Sequence, residues 1–440
     1  MRFTTDEIAA ATSGQAFGLP AMVDGASIDS RLVGPGELFV PIIADRNGHD
    51  FIASALGAGA GAYLSSEGGG DGSGVLVEDT QVALSDLGNA ARARMGERVI
   101  AITGSVGKTS LKDMLSAVTA ATFRTTASVG SFNNELGVPL TLINAPDDTQ
   151  CAVVEMGARG AGHISDLCDI ARPNVGVVTV VAAVHTQVFG SIDEVAKGKG
   201  ELIASLPESG TAVLNADDPR VLAMTDLASC QVLTFGQSGG DVRASSVELD
   251  DNLHSSFLLE TPWGAGQVRL PVAGRHQVVN ALGAAAAALG VGVPVEAVCD
   301  GLGGASLSAM RMDLVTTSTG LRVLNDTYNA NPTSMAAALR SIAELPAARR
   351  FAVLGTMAEL GDDEAPLHRD IAVLAQELGI ELLSLNQPWY GVEVDDLVES
   401  PSRAIDRLKE FGVGDGDVVL VKASRSAGLE KVVELLFTQC

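Results

Sequence analysis

The sequence predicts an α/β protein of three domains, the second and third each built from alternating strands and helices. Three observations carry that expectation. The chain has 440 residues, and at about 150 residues per domain such a length divides into two to four units. From about residue 97 to 313, apolar strand-like runs alternate with helical patterns, as expected of a mostly parallel sheet covered by helices. The same alternation returns on a smaller scale over 314–440.

In the first stretch, 1–96, SIDSRLVGPGELFVPI (27–42) carries an apolar run ending in Val40 and Ile42. The segment SSEGGGDGSG (65–74) is expected to be a flexible loop. A helix follows, with Leu84, Leu87, Ala91 and Met95 on one face, and the first boundary is placed just after it. The second stretch opens on an apolar strand, Val99 to Ile102. In the third, Phe351–Leu354 reads as a strand and Pro366–Leu378 as a helix stopped by Gly379. Ser400 and Pro401 are placed to cap and start another helix, and GDVVLVKAS (416–424) ends in a strand and loop.

Composition narrows the function classes. Lys and Arg number 29 against 54 Asp and Glu, a net charge of −25. That balance disfavours nonspecific nucleic-acid binding, which depends on neutralising phosphates, but leaves room for a locally cationic pocket. The longest apolar stretch, Ala281 to Val295, is shorter than the roughly 20 residues of a membrane-spanning helix. MRFTTDEIAAATSG lacks the apolar core of a signal peptide. The five cysteines are scattered, without a C-x-x-C pair, so neither a disulfide framework nor a zinc site is expected. A cytoplasmic protein is the expectation, with no membrane insertion and no nucleic-acid partner.

The sharpest chemical signal is VIAITGSVGKTSLKDML (99–115). A strand runs into a turn of Gly104, Ser105, Val106 and Gly107, then Lys108, Thr109 and Ser110 open a helix with apolar residues at Leu111, Met114, Leu115 and Val118. This is a phosphate cradle. Its glycines let backbone N–H groups approach phosphate oxygens, and the helix N-terminus adds partial positive charge. Lys108 would reach the terminal phosphates and the Thr109 hydroxyl would ligate Mg²⁺, the other reading being a plain strand–helix turn. Ile102 stands where the longer Walker pattern has glycine, so this is the shorter T-G-x-x-G-K-T form.

Other residues leave alternatives open. Glu155 ends an apolar strand, where a hard carboxylate suits Mg²⁺ but also suits a surface. His185 follows NVGVVTVVAAVH (174–185) and reads as a structural histidine or a ligand. Lys197 and Lys199 read as solvated lysines at a Gly-spaced helix start. His276 and Asn280 lie one helical turn apart, so they face one ligand or form a polar helix face. In NPT, Pro332 biases Asn331 away from helix, which reads as a turn.

Taken together and in order, the phosphate loop, NNELGVPLT (133–141), VVEMGARGAGHI (153–164), VAKGKGEL (195–202), LNADDPR (214–220), GRHQVVNALGAA (274–285) and NDTYNANPTSM (325–335) resemble the Mur ligase family. These are ATP-dependent amide ligases of peptidoglycan synthesis. DSR (29–31), PGELFVPI (35–42), DTYNANPTSM and VLGTMAELG (353–361) are similar to the dipeptide-adding member in particular. The resemblance implies three domains: a UDP-sugar-binding domain (1–96), a central P-loop ATP-binding domain (97–313) and a Rossmann-like domain (314–440) that takes the incoming dipeptide.

The resemblance also implies residue roles. Lys108, Lys199, Arg311 and His185 would serve catalysis, with Arg311 on the transferred phosphate. Thr109, Glu155, His185 and a carbamylated Lys199 would hold Mg²⁺. His276, Asn280, Arg311 and Asp326 would join the loop in binding ATP, Asp326 on the ribose hydroxyls. Ser30 and Arg31 would sit near the nucleotide-sugar, and Asn133, Asn134, Tyr328, Asn329, Asn331, Lys422, Ser424 and Arg425 would line the substrate cleft. Four places depart from the family: Gln277 stands for Asn, Thr356 for Asp, Ala423 for Gly, and Val181–Val184 is an unusually apolar lead-in to His185. The implied reaction joins D-alanyl-D-alanine to UDP-MurNAc-tripeptide through an acyl phosphate, in a monomer. The alternatives are a sister ligase adding one amino acid, although the D-N-P-R of the third-residue ligase is missing, and a P-loop binding protein without ligation.

Overall fold

Strand Val99–Thr103 is buried along its whole length and is the axis of the fold. The structure, a computed structural model, describes residues 1–182 and 189–439, so His185 lies outside the described residues. Val99–Thr103 pairs in parallel with Cys151–Glu155 on one side and Val175–Val178 on the other. Thr125–Ala127 lies beyond the first; Thr211–Asn215, Gln231–Gly236 and Val242–Leu249 extend the other side, all in parallel. The four innermost strands are apolar runs without a polar face, as sheets covered on both sides require.

The expectation of a mostly parallel sheet meets one addition. His254–Thr261 and Gly264–Ala273 join antiparallel to Val242–Leu249. His254–Thr261 alternates buried and half-buried residues, the period-2 pattern of a one-sided strand. Helices Lys108–Ala120, Gln277–Gly290 and Val295–Gly303 cover one sheet face. Thr80–Ala93, Gly137–Ile143, His163–Ala171 and Ile192–Ala204 cover the other.

The first domain shares that second core. Phe3, Ile8, Leu38 and Leu64 pack in one cluster with Leu84, Leu87, Val138, Leu142 and Ile164. Helix Thr80–Ala93 is the seam: a Cβ at Gly88 would lie 2.5 Å from Pro139 Cβ, so glycine permits the close approach. Met95, expected on its apolar face, falls beyond the helix end. In the run that ends at Val40 and Ile42, the strand is confined to Leu38–Phe39; its sheet also contains Gln15–Phe17, Gly74–Leu76, Ala62–Ser65 and Ala26–Ser27.

The third sheet runs Asp313–Thr316, Arg322–Asn325, Val418–Lys422, Arg350–Leu354, Glu381–Leu385, Leu397–Val398, parallel after its first pair. Helices Pro332–Glu344 and Glu364–Glu377 pack on one face, Pro401–Glu410 and Glu430–Gln439 on the other. The expected turn at NPT is a helix start instead. Asn331 is extended, as Pro332 demands, and its side chain accepts from Ser334 N at 2.9 Å while Ser334 Oγ accepts from Asn331 N at 3.1 Å. The helix expected from Pro366 begins at Glu364, because proline is tolerated in a first turn. Gly379 ends it with φ +67°. Among the described residues no helix is long and apolar enough to cross a membrane.

Candidate active site

The carboxyl ends of the central strands, where open α/β sheets place ligands, open into a cleft of about 460 Å³ walled on its far side by the third domain. Its floor is the loop after Thr103. Gly104 and Gly107 have φ +146° and +86°, and a Cβ at either would lie 1.8 Å from Thr179 Oγ1 or 2.4 Å from Asn280 Oδ1. Only glycine fits both positions. The loop is pinned from below: Ser105 N donates to Val180 O at 2.7 Å and Thr179 Oγ1 donates to Val106 O at 2.6 Å. Lys108 Nζ donates to Gly104 O at 2.8 Å. Burial lowers its pKa, Glu155 opposes the shift and Arg311 reinforces it.

Above the loop, Thr109 Oγ1 donates to Glu155 Oε2 at 2.7 Å, and Asn133 Nδ2 donates to Glu155 Oε1 at 2.9 Å. Glu155 is buried, so the surface alternative for it is removed. Arg311 Nη2 donates to Thr109 Oγ1 at 2.9 Å, and its guanidinium lies 4.1 Å over the Tyr328 ring. Tyr328 hydroxyl in turn bonds Ser131 Oγ, joining third domain to second. Arg311 lines the cleft, and its Nε is buried without a hydrogen-bond partner among the described residues, an orphaned donor.

The pair Lys197 and Lys199 is where the residue-by-residue reading fails. Both sit inside helix Ile192–Ala204, and residues two apart on a helix point away from each other. Lys197 is solvated and paired with Glu194 at 2.6 Å. Lys199 is 3% exposed, lines the cleft, and is pushed down to about 7 by burial and then by the Lys108 charge. Among the described residues no three His, Cys, Asp or Glu side chains gather as a metal site. The oxygens of Thr109 and Glu155 still fit a hard cation that keeps most of its waters.

The third-domain wall is a second charged cluster. Lys422 Nζ donates to Asp326 Oδ2 at 2.5 Å and to Asn329 O at 2.8 Å, and Asp326 Oδ1 accepts from Met312 N at 3.2 Å. His276 faces this pair and is lowered to about 4 by burial, with Asp326 opposing and Lys422 adding, so its imidazole is neutral. Asn280 Nδ2 donates to Gln277 Oε1 at 2.8 Å, so the Gln277 departure is absorbed by a side-chain pair. Several cleft residues are also structural. Asn331 caps its helix, Asn134 Oδ1 accepts from Gly137 N, and Ser424 Oγ accepts from Ala358 N. Arg425 reaches Met310 Sδ and Glu430. Thr356 binds Gln387 and the Ser424 backbone and is not among the residues lining the cleft.

Ser30 and Arg31 do not line this cleft. Arg31 is exposed and forks onto Asp29 at 2.9 and 2.6 Å, holding that carboxyl at about 2. Cleft residues that the sequence reading missed include Ser131, Arg159, His163, Ser334 and Glu359. The first of these carries no pattern. Arg159 and His163 follow Glu155 by four and eight residues in VVEMGARGAGHI, and that offset was the available signal.

A P-loop cleft closed by a smaller α/β domain defines a class of nucleotide-dependent ligases, and two family models match the chain: the Mur ligase middle domain over 102–288 and the Mur ligase, glutamate ligase domain over 310–425. The chain belongs to the Mur ligase family. Within it, the particular member it resembles is UDP-N-acetylmuramoyl-tripeptide--D-alanyl-D-alanine ligase. That enzyme from Mycobacterium tuberculosis (strain CDC 1551 / Oshkosh) is 39% identical, across 93% of this chain and 91% of its own. A crystal structure of MurF from Acinetobacter baumannii superposes with a TM-score of 0.89 at 29% identity, covering 100% of this chain and 99% of that one. MurF ligase from Thermotoga maritima in complex with ADP gives 0.83 at 27% identity, over 95% and 98%.

Proposed function

We propose that the protein is an ATP-dependent amide ligase that joins D-alanyl-D-alanine to UDP-MurNAc-tripeptide, giving UDP-MurNAc-pentapeptide for peptidoglycan synthesis in the cytoplasm. The observation that carries the reading is the meeting of Lys108, Glu155, Lys199 and Arg311 in one cleft that the third domain closes. Phosphoryl transfer is mostly positioning and charge neutralisation, and these groups supply both. Lys108 exchanges Gly104 O for the terminal phosphate oxygens. Arg311 offers its unpartnered Nε to the phosphoryl group in flight, with Nη2 anchored on Thr109. Thr109, Glu155, a carbamylated Lys199 and His185 are the residues that would hold Mg²⁺, which when bound neutralises phosphate charge. The terminal carboxylate of the tripeptide receives the γ-phosphoryl group of ATP, and ADP leaves. The dipeptide amine then attacks the acyl phosphate, and the tetrahedral adduct collapses to amide and phosphate. Tyr328 and Ser131 close the cleft between domains and help keep water from the acyl phosphate. His276, Asn280 and Asp326 are assigned to the nucleoside, and Lys422, Asn329, Ser424 and Arg425 to the incoming substrates.

The test is phosphate release from ATP in the presence of UDP-MurNAc-tripeptide, with and without D-Ala-D-Ala. Turnover should depend on the dipeptide and be poorly supported by single amino acids. A better rate with D-glutamate or a lone diamino acid would replace this reading with that of a sister ligase. No turnover with any acceptor would leave a binding protein.

Ser30 and Arg31 are assigned to the UDP-sugar, away from the ATP cleft. Arg31→Ala should therefore raise KM for the nucleotide-sugar several-fold and leave KM for ATP nearly unchanged. Because the Arg31 side chain is 84% exposed and its Asp29 partner is local, the fold should not suffer. Equal loss of both affinities would show that the site is elsewhere.

A further inference from the structure

Lys112 and Asp113 lie one turn beyond the phosphate loop on helix Lys108–Ala120, and neither lines the cleft. Their side chains are only 4% and 12% exposed. Lys112 Nζ donates to Ser128 O at 2.9 Å and Gly130 O at 3.1 Å, and pairs with Asp113 Oδ1 at 2.9 Å. Asp113 Oδ2 accepts from Ser308 N at 2.7 Å.

Thr109 and Asp113 are four residues apart and share a helix face. Arg311 binds the first, and Ser308 binds the second. The segment 308–311 is thus fastened to the phosphate-loop helix at both ends. That segment is strained: Met310 and Met312, flanking Arg311, have φ +63° and +51°. Non-glycine residues hold such angles only where their surroundings over-determine them. The opposing fastenings are Tyr328 N on Met310 O at 3.2 Å and Met312 N on Asp326 Oδ1. Lys112 meanwhile anchors the carbonyls of Ser128 and Gly130, just before Ser131, whose hydroxyl bonds the hydroxyl of Tyr328, the residue on whose ring Arg311 stacks.

We propose that the Lys112–Asp113 pair is a positioning clasp, which sets Arg311 and the 128–134 segment in register with Lys108 and Thr109. It touches no substrate. The clasp holds the strained linker at the one place where its guanidinium can reach both the Thr109 hydroxyl and the transferred phosphoryl group. This inference rests on the reading of Arg311 as the phosphoryl contact, and the experiment separates the two.

A double-mutant cycle of Asp113→Ala with Arg311→Ala, read as kcat and KM for ATP in the full ligation assay, tests it. Asp113→Ala alone should lower kcat about tenfold, as expected for a misplaced charged group, and change KM for ATP less than about twofold. In the Arg311→Ala background the same substitution should cost less than about twofold, because the group it positions is gone. If Asp113→Ala does not fold, the isosteric Asp113→Asn, with one acceptor for two donors, carries the same cycle. A damaging Arg311→Ala with equal factors in both backgrounds overturns the clasp alone. A silent Arg311→Ala overturns the phosphoryl role and the clasp together.

Discussion

Lys108→Ala should reduce ligation by at least about a hundredfold, the range seen when one preorganised donor to a developing charge is removed. Its ammonium is the main point charge on the loop, and its present acceptor is a loop carbonyl, Gly104 O. Nothing in the fold depends on that bond: the cradle is pinned by Ser105 and Thr179, and the helix by Leu111, Met114, Leu115 and Val118 in the core. Circular dichroism and melting should match the parent. Near-parental activity in a folded Lys108→Ala protein would remove this loop from the chemistry.

Lys199→Ala should lose most activity, and a short carboxylic acid in the buffer should restore part of it. A free lysine is an ammonium at neutral pH, repels cations and cannot attack CO₂. Lys199 is enclosed, and loss of hydration with the nearby Lys108 charge brings it to about 7. A substantial fraction is then a neutral amine, which adds CO₂ with loss of a proton to give a carbamate. Such a carbamate would offer one negative charge shared by two oxygens in the cleft that Glu155 and Thr109 also line, the oxygen ligation a hard cation requires. An added carboxylate can occupy the space vacated in Lys199→Ala. Lys197→Ala is the control: its side chain is solvated and meets Glu194 on the surface, so it should be nearly silent with or without the acid. Full activity in Lys199→Ala without added acid would exclude the carbamate, while rescue confined to Lys197→Ala would move it there.

Helix Ile192–Ala204 shows how far the sequence could be read. Lys197 and Lys199 were expected at a helix start, whereas the helix begins at Ile192 behind a Ser191 cap and an acidic first turn. Which of two nearby lysines is buried depends on what packs against the helix. Phe189 covers Gly198, where a Cβ would lie 2.8 Å from its ring. That contact has no signature in the spacing of lysines. Asn331 is a similar case. Its extended backbone followed from Pro332, but whether a turn or a cap resulted depended on the three residues after it.

By itself the sequence determined the α/β class, the phosphate loop and the order of the motifs, because strand period, helix period and glycine requirements are short-range properties of the chain. It also determined the net charge of −25, which disfavours nonspecific binding to phosphate polymers. Only the tertiary structure decided that first and second domains share a core through Thr80–Ala93, since Gly88 and Pro139 meet across 51 residues of sequence. Only it decided which carboxylate faces Thr109, that Arg311 crosses from the linker onto that hydroxyl, and that Asp113 fastens Ser308. Each of those contacts joins residues 46 to 202 positions apart, and the pairing of such distant groups is set by how sheets and helices pack, not by any pattern within reach of a sequence window.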